Sequence, residues 1–319
     1  MAENRIPVII DCDPGIDDAV ALAVAFADPK LEVLAVTSVA GNVGIEKTTR
    51  NAQAVLATLG VKSKIYRGAE GPLMPVPVHV AEMAHGKTGL GDYSLPDEQL
   101  HPLENESALD GMRSILENSS EKITIIAVGP LTNIALLLRA FPHLKEKIEQ
   151  ISIMGGGLCT GNRTPAAEFN ILCDPEAAEI VFQSGIPIIM AGLDVTHQAR
   201  MTGRQMKTLR AVGNPVSEML ADILEYYFGE MPDLDDPNSQ DCLHDVVAVL
   251  ALTHPEMFKG QDLNVVVETE GRYCRGYTLA DMRPSYKGHE TAETNCHVIL
   301  ELDFVPFHDA ILRAVQSYS

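Results

Sequence analysis

Apolar positions along the chain recur with two spacings, and the two alternate. Short β-branched runs at Ile6–Asp11, Leu31–Val39, Lys122–Val128, Ile148–Met154 and Ile186–Met190 read as buried strands. Between them, Ile16–Ala27, Gly44–Leu59, Leu131–Ala140 and Asp174–Gln183 carry the helical period. Strands separated by helical crossovers form a parallel sheet with helices on both faces. The sequence thus predicts an α/β fold, a Rossmann-like open sheet in one large domain covering 1–319. From Thr202 to Thr253 the pattern turns mainly helical, an extra segment in the C-terminal half. Late strands follow at Asp262–Glu268, Arg275–Ala280 and Asn295–Glu301, before a closing helix at Asp303–Ser319. Gly68–Pro102 is rich in Gly, Pro and His without periodicity, and a loop that long is usually functional. There is no linker tract or internal repeat.

Composition narrows the partners. With 46% hydrophobic residues among 319, the chain can bury a large core. A net charge of -20 repels nucleic acid and anionic membranes. The longest purely apolar stretch, Ala19 to Ala27, is too short to span a bilayer, and the N-terminus lacks a basic, long-apolar export pattern. Six scattered cysteines without a C-x-x-C pair read as reduced thiols, which with the missing export pattern points to the cytoplasm.

In an open α/β sheet the ligand crevice lies beyond the C-terminal strand ends. Polar residues gather there: Asp11, Asp13, Asp17 and Asp18 after the first strand, Asn42 after the second, Thr132 and Asn133 after the central one. Glu168 and Asn170 follow Gly155-Gly156-Gly157, and Asp194, Thr196 and His197 follow Met190. Helix capping accounts for Asp17 and Asp18; it leaves Asp11 and Asp13 unexplained. Two carboxylates about 4 Å apart repel by roughly 4 kcal/mol at an effective dielectric of 20. Such a cluster needs a cation or raised pKa values. All-oxygen donors point to Ca²⁺ or Mg²⁺, and the lack of a Cys or His cluster argues against zinc. Neither G-x-G-x-x-G nor a P-loop stands at the first turn, so this is no phosphate cradle. The glycine triplet precedes no helix directly and reads as close backbone packing.

The motif DCDPGIDDA at 11–19 resembles the signature of the inosine–uridine-preferring nucleoside hydrolases. VAGN ending at Asn42, GPLTN at 129–133, MGGG at 154–157, GN at 161–162, AEFN at 167–170, DPEAA at 174–178, GLDVTH at 192–197 and HD at 244–245 match in order, from the first strand to the last helix. The resemblance implies hydrolysis of the N-glycosidic bond of ribonucleosides to ribose and free base. Asp13 would be the general base acting on a calcium-held water, with a metal contact of its own. Asp18, Asp245 and the backbone carbonyl of Val128 would complete the Ca²⁺ site. Asp17, Asn42, Asn162, Glu168 and Asn170 would hold the ribose hydroxyls, with Met154 beside them. His244 would protonate the leaving base, His85 would close the pocket from its loop, and Tyr227 would face the nucleobase. Asp11 fits a supporting role, and His197 supports the site by hydrogen bonding. No second carboxylate offers itself as a nucleophile, so inversion at the anomeric carbon is expected. The resemblance also implies a homodimer or homotetramer. One departure stands out: where a second tyrosine is expected the chain has Met231, followed by Asp233, Asp235 and Asp236, which leaves the base preference open.

Two other classes are compatible with parts of this pattern. A haloacid-dehalogenase-like, Mg²⁺-dependent phosphatase also starts with D-x-D after its first strand, but Pro14 replaces its usual Thr or Val. A non-catalytic nucleoside- or sugar-binding protein would use similar polar residues, and such proteins are commonly exported.

Overall fold

The computed structural model describes residues 5–75, 80–228, 242–283 and 293–318. The first half alternates as predicted, with β3, α3 and α4 added to the expected elements: β1 (Ile6–Cys12), α1 (Ile16–Ala27), β2 (Leu31–Ser38), α2 (Ile45–Leu59), β3 (Lys64–Arg67), α3 (Glu82–His85), α4 (Ala108–Asn118), β4 (Ile123–Ala127), α5 (Thr132–Ala140) and β5 (Ile148–Met154). Next come α6 (Phe169–Cys173), α7 (Pro175–Phe182), β6 (Ile188–Ala191), α8 (Leu193–Thr196), α9 (Gly203–Arg210), α10 (Pro215–Phe228) and α11 (His244–Thr253). The chain ends with β7 (Phe258–Leu263), β8 (Val265–Val267), β9 (Thr278–Ala280), β10 (Cys296–Leu302) and α12 (Phe304–Gln316).

Eight strands form one sheet in the order β3-β2-β1-β4-β5-β6-β10-β7, parallel except where β7 pairs antiparallel with β10. Along β1, Val8, Ile10 and Cys12 enter the core under α1, α11 and α12, while Ile9 enters the opposite core with α4, α5 and α7. That two-sided burial is why the strands read as continuous β-branched runs rather than alternating ones.

The expected strand at Asp262–Glu268 is two strands. At the break, Asn295 takes the place of a strand neighbour: its Oδ1 accepts from Val265 N (2.8 Å) and its Nδ2 donates to Val265 O (2.9 Å). Residues 265–267 thereby leave the main sheet and pair with β9 as a separate ribbon. The expected strand at Arg275–Ala280 starts only at Thr278, after a turn with Gly276 at φ 82°. Gly68–Pro102 holds only short helical turns, as its composition predicts. Among the described residues no helix is long and apolar enough to cross a membrane. Cys12, Cys173, Cys242 and Cys296 are buried, and among the described residues no cysteine is in a disulfide.

Candidate active site

Strand order reverses between β1 and β4, whose neighbouring C-terminal ends open the crevice expected of such a sheet. Asp13 leaves β1 at that point. Its carboxylate lies between the backbones of Gly41 and Gly129, where a Cβ would fall 2.0 Å from Oδ2 and 2.6 Å from Oδ1 respectively. Oδ2 accepts from Asn42 N at 2.6 Å, and Oδ1 is buried without a hydrogen-bond partner among the described residues. Asp18, in the first turn of α1, accepts from Asp13 N (3.2 Å), Gly15 N (2.8 Å) and Asn42 Nδ2 (3.1 Å). Asp245 enters from the first turn of α11. Oxygens of Asp17, Asp18 and Asp245 lie within 4.8 Å of one another.

These carboxylates are buried. Burial first, and then Asp17, pushes Asp18 up to about 7. Burial and the neighbouring Asp18 push Asp13 well above the usual carboxylate range, and burial with Asp17, Asp18 and Asp13 does the same to Asp245. An acidic trio at this spacing, with an unpartnered Asp13 oxygen nearby and oxygen donors alone, fits a hard divalent cation. Asp17 belongs to that trio by distance, although the sequence places it only on the ribose; Asp13 lies beside the trio rather than within it. Asp11 sits beneath. Its Oδ1 accepts from Thr37 Oγ1 and from Asn133 Nδ2 (2.7 Å), and burial raises its pKa to about 7.

Above the acids is a pocket of about 190 Å³. Its wall includes Asp17, Asn42, His85, Val128, Met154, Asn162, Glu168, Asn170, Tyr227, His244 and Asp245, so residues from both ends of the chain meet in one cavity. Asn170 Nδ2 donates to Val128 O (2.9 Å) and Met154 O (3.1 Å), leaving its Oδ1 as an acceptor. Glu168 caps α6: Asn170 N (2.8 Å), Ile171 N (3.1 Å) and Gly156 N (2.9 Å) donate to it. The second glycine of the triplet therefore holds a carboxylate. Asn162 Oδ1 accepts from Phe169 N (2.9 Å), which leaves its amide donors for a ligand.

The histidines are set by different partners. His85 Nδ1 accepts from Ile16 N (3.1 Å), so the neutral ring carries its proton on Nε2, and burial lowers its pKa. It stacks on Tyr227 with centroids 5.3 Å apart. His244 Nδ1 lies 2.8 Å from Thr196 Oγ1, and His197 meets the ring edge-on at 5.9 Å. Burial lowers His244 to about 4, so the ring is neutral at pH 7 and offers an N–H rather than a standing positive charge. Sequence reasoning missed Arg163, Phe169, Ala81 and Ala84 on the wall; Arg163 and Phe169 adjoin motif residues, which is the one signal that points to them. Met231, Asp233, Asp235 and Asp236 lie outside the described residues.

Three comparisons bear on this cavity. A family model described as inosine-uridine preferring nucleoside hydrolase matches residues 8–309. A pyrimidine-specific ribonucleoside hydrolase RihA of Salmonella typhimurium is 42% identical over 315 residues, covering 98% of this chain and 99% of that protein. Among solved structures, a purine-preferring ribonucleoside hydrolase from Gardnerella vaginalis superposes with a TM-score of 0.86 at 31% identity, covering 97% of this chain and 98% of that one. An inosine-guanosine nucleoside hydrolase gives a TM-score of 0.87 at 31% identity over 99% of both chains.

Proposed function

Because the chain belongs to the inosine–uridine-preferring nucleoside hydrolase family and is an N-glycosyl hydrolase of ribonucleosides, we propose that its pocket binds a pyrimidine ribonucleoside over a calcium ion and uses Asp13 as general base. The observation that carries this reading is the buried Asp17, Asp18 and Asp245 trio at the floor of a cavity walled by amides and two neutral histidines. Membership in this family sets aside the phosphatase and binding-protein readings.

Asp18, Asp245, Asp17, the Val128 carbonyl and Asp13 would hold the ion; Ca²⁺ accepts such an irregular set of six to eight oxygens more readily than Mg²⁺. When bound, the ion supplies a fixed anchor for the ribose 2′- and 3′-hydroxyls and for a water. The protein's own groups account for the rest. Asn42, Asn162 and Asn170 orient the sugar, and holding the reactants together removes much of the entropic barrier. Asp13, ionised beside a bound cation and with an Oδ1 that has no hydrogen-bond partner among the described residues, accepts the proton of the water that attacks C1′. General-base help of this kind is worth about 10²–10⁴-fold. As the C1′–N bond breaks, positive charge on the ring faces anionic oxygens. The departing base takes a hydrogen bond from neutral His244; as negative charge develops beside the ring its pKa rises, the ring takes a proton from solvent and hands one to the base nitrogen. Every Glu168 oxygen already accepts from backbone, and the acidic trio is committed to the ion. The one remaining acid at the site, Asp13, is taken up as the general base on the water, which favours inversion.

Pyrimidine preference is supported by the 42% identity to enzymes named pyrimidine-specific, against 31% to those named for purines. The test is a panel of uridine, cytidine, inosine, adenosine and guanosine assayed for released reducing sugar, with and without chelator and with Ca²⁺ restored. Uridine and cytidine should lead, and chelation should abolish turnover until Ca²⁺ returns. Full activity in chelator would sink the calcium assignment, and a purine leading the panel would sink the base assignment.

A further inference from the structure

We propose that Tyr226 is a positioning residue: its ring clamps the Gly86–Gly91 turn against the last turn of α10 and so fixes the His85 imidazole in the pocket wall. Adjacent tyrosines at the end of α10 point to different neighbours. Tyr227 packs against the core and stacks on His85. Tyr226 is 45% exposed, and its hydroxyl makes no hydrogen bond among the described residues. Packing into the core therefore does not explain the ring.

What the ring touches is glycine backbone. A Cβ at Gly86 would lie 2.8 Å from the Tyr226 hydroxyl oxygen, and one at Gly91 would lie 2.6 Å from its Cγ. Both glycines have positive φ, 77° and 58°, so the turn takes a shape that other residues rarely adopt and presents bare backbone to the aromatic face. The turn is short and closes on itself: Gly91 N donates to His85 O at 3.0 Å. Its polar anchors run to α2, where Asn51 Nδ2 donates to Thr88 O (2.9 Å) and Lys47 Nζ to Lys87 O (2.6 Å). Tyr226 covers the side those anchors leave open. His85 is thus held at Nδ1 by Ile16 N, across its face by Tyr227, and through its own carbonyl by the turn that Tyr226 presses.

The consequence rests on the reading of the pocket as the ribonucleoside site. Removing the ring should let the turn leave its bound geometry. If that geometry is then populated about one-tenth of the time, apparent affinity falls about tenfold. Tyr226→Ala should lower kcat/KM for uridine about tenfold, mostly through KM, with little change in melting temperature. Tyr226→Phe keeps the ring and should behave like the unaltered protein. In a His85→Ala background, Tyr226→Ala should add nothing, since its effect passes through that imidazole. A second readout needs no turnover: diethyl pyrocarbonate should modify His85 several times faster in Tyr226→Ala than in Tyr226→Phe, followed by mass spectrometry. Equal modification rates, or a Tyr226→Ala loss that multiplies the His85→Ala loss, would overturn the proposal. Absence of uridine turnover in the unaltered protein would count against the substrate reading alone, since the modification rates still judge the clamp.

Discussion

Stripping divalent ions should make this protein less stable as pH rises, and the share carried by Asp18 can be worked out and measured. Burial and Asp17 hold its pKa at about 7 in the folded chain, against 3.8 ordinarily. The folded state therefore binds the proton more tightly than the unfolded state. Stability linked to that proton is fully present below about pH 4 and is lost as pH rises through about 7. A shift of roughly three units corresponds to about 4 kcal/mol. For 319 residues, at about 2.1 cal/mol/K per residue, that is about 6 °C in melting temperature. A divalent cation such as Ca²⁺ would bind the ionised carboxylates and so would work in the opposite pH direction. At about one hundred times its dissociation constant it returns about 2.7 kcal/mol, or about 4 °C, at pH 8 and far less at pH 5. The assay is scanning calorimetry in chelator and in Ca²⁺ at both pH values, for the unaltered protein and for Asp18→Asn. The comparison matters because buried His308, held at about 4 by desolvation, destabilises the fold as pH falls below its ordinary value, and this cancels in the difference. In chelator the difference between the two proteins should carry the downward slope from pH 5 to 8. Calcium that stabilises equally at pH 5 and 8, or not at all, would refute the shared-cation reasoning.

Other consequences are separately measurable. Asp13→Asn should fold normally and lose about 10²–10⁴-fold in kcat, the range expected for a lost general base; a loss below tenfold in steady-state turnover would reassign the base. His244→Ala should slow uridine cleavage far more than cleavage of a riboside with an activated leaving group, and equal losses in parallel assays would remove the acid role. Proton NMR of early turnover should show α-ribose formed first from a β-nucleoside, whereas first-formed β-ribose would mean retention. Asn133→Leu removes three hydrogen bonds, two buried ones to Asp11 (2.7 Å) and Ser38 O (3.0 Å) and a part-buried one from Ala69 N (2.9 Å). In urea titration it should cost about 3 kcal/mol or more, and a cost under about 1 kcal/mol would show that these groups find other partners.

Legibility followed the physics of each segment. Strands buried on both faces, such as Ile148–Met154, and the Ala-rich α1 came out of the sequence with their observed bounds. β3, four residues with Lys64 and Arg67 at its ends, carries too little apolar pattern to be seen. α4 escaped despite its Ser107 cap, because it follows directly on the aperiodic Gly68–Pro102 stretch. The β7–β8 break depends on Asn295, distant in sequence, and has no local signal. In the pocket, Asp17, Asn42, Asn162, Glu168 and Asn170 were legible as polar side chains following strand ends, while Val128, Met154, His85, Tyr227, His244 and Asp245 were found only through the family resemblance. Arg163 and Ala81 were not: adjacency to Asn162 is all that points to Arg163, and nothing in an isolated alanine shows that the chain will fold it against a cavity. Asp17's place among Asp18 and Asp245 was hidden for a related reason: its local context already accounts for it as a helix-terminal acid.

That ambiguity resolves when the two helix ends are weighed together. Asp17 and Asp18 occupy the first turn of α1, and Asp245 the first turn of α11. Each terminus stabilises a nearby carboxylate by about 0.3–1 kcal/mol, up to about 2 in favourable geometry. Charges no farther apart than 4.8 Å repel by at least about 3.5 kcal/mol per pair at an effective dielectric of 20. Three such pairs outweigh two helix ends, so helix stabilisation cannot be the reason all three acids are present; they must share protons or a cation. The cap position of α1 points the same way. Gly15 stands where Ser or Asp would ordinarily cap, and a Cβ there would lie 2.7 Å from both His85 Nδ1 and Asn42 Nδ2. Asp18 accepts the Gly15 N–H and His85 accepts the Ile16 N–H in place of a capping side chain. The helix is thus capped by the residues that build the site, and a Gly15→Ser substitution, favourable by capping rules alone, should displace His85 and weaken substrate binding.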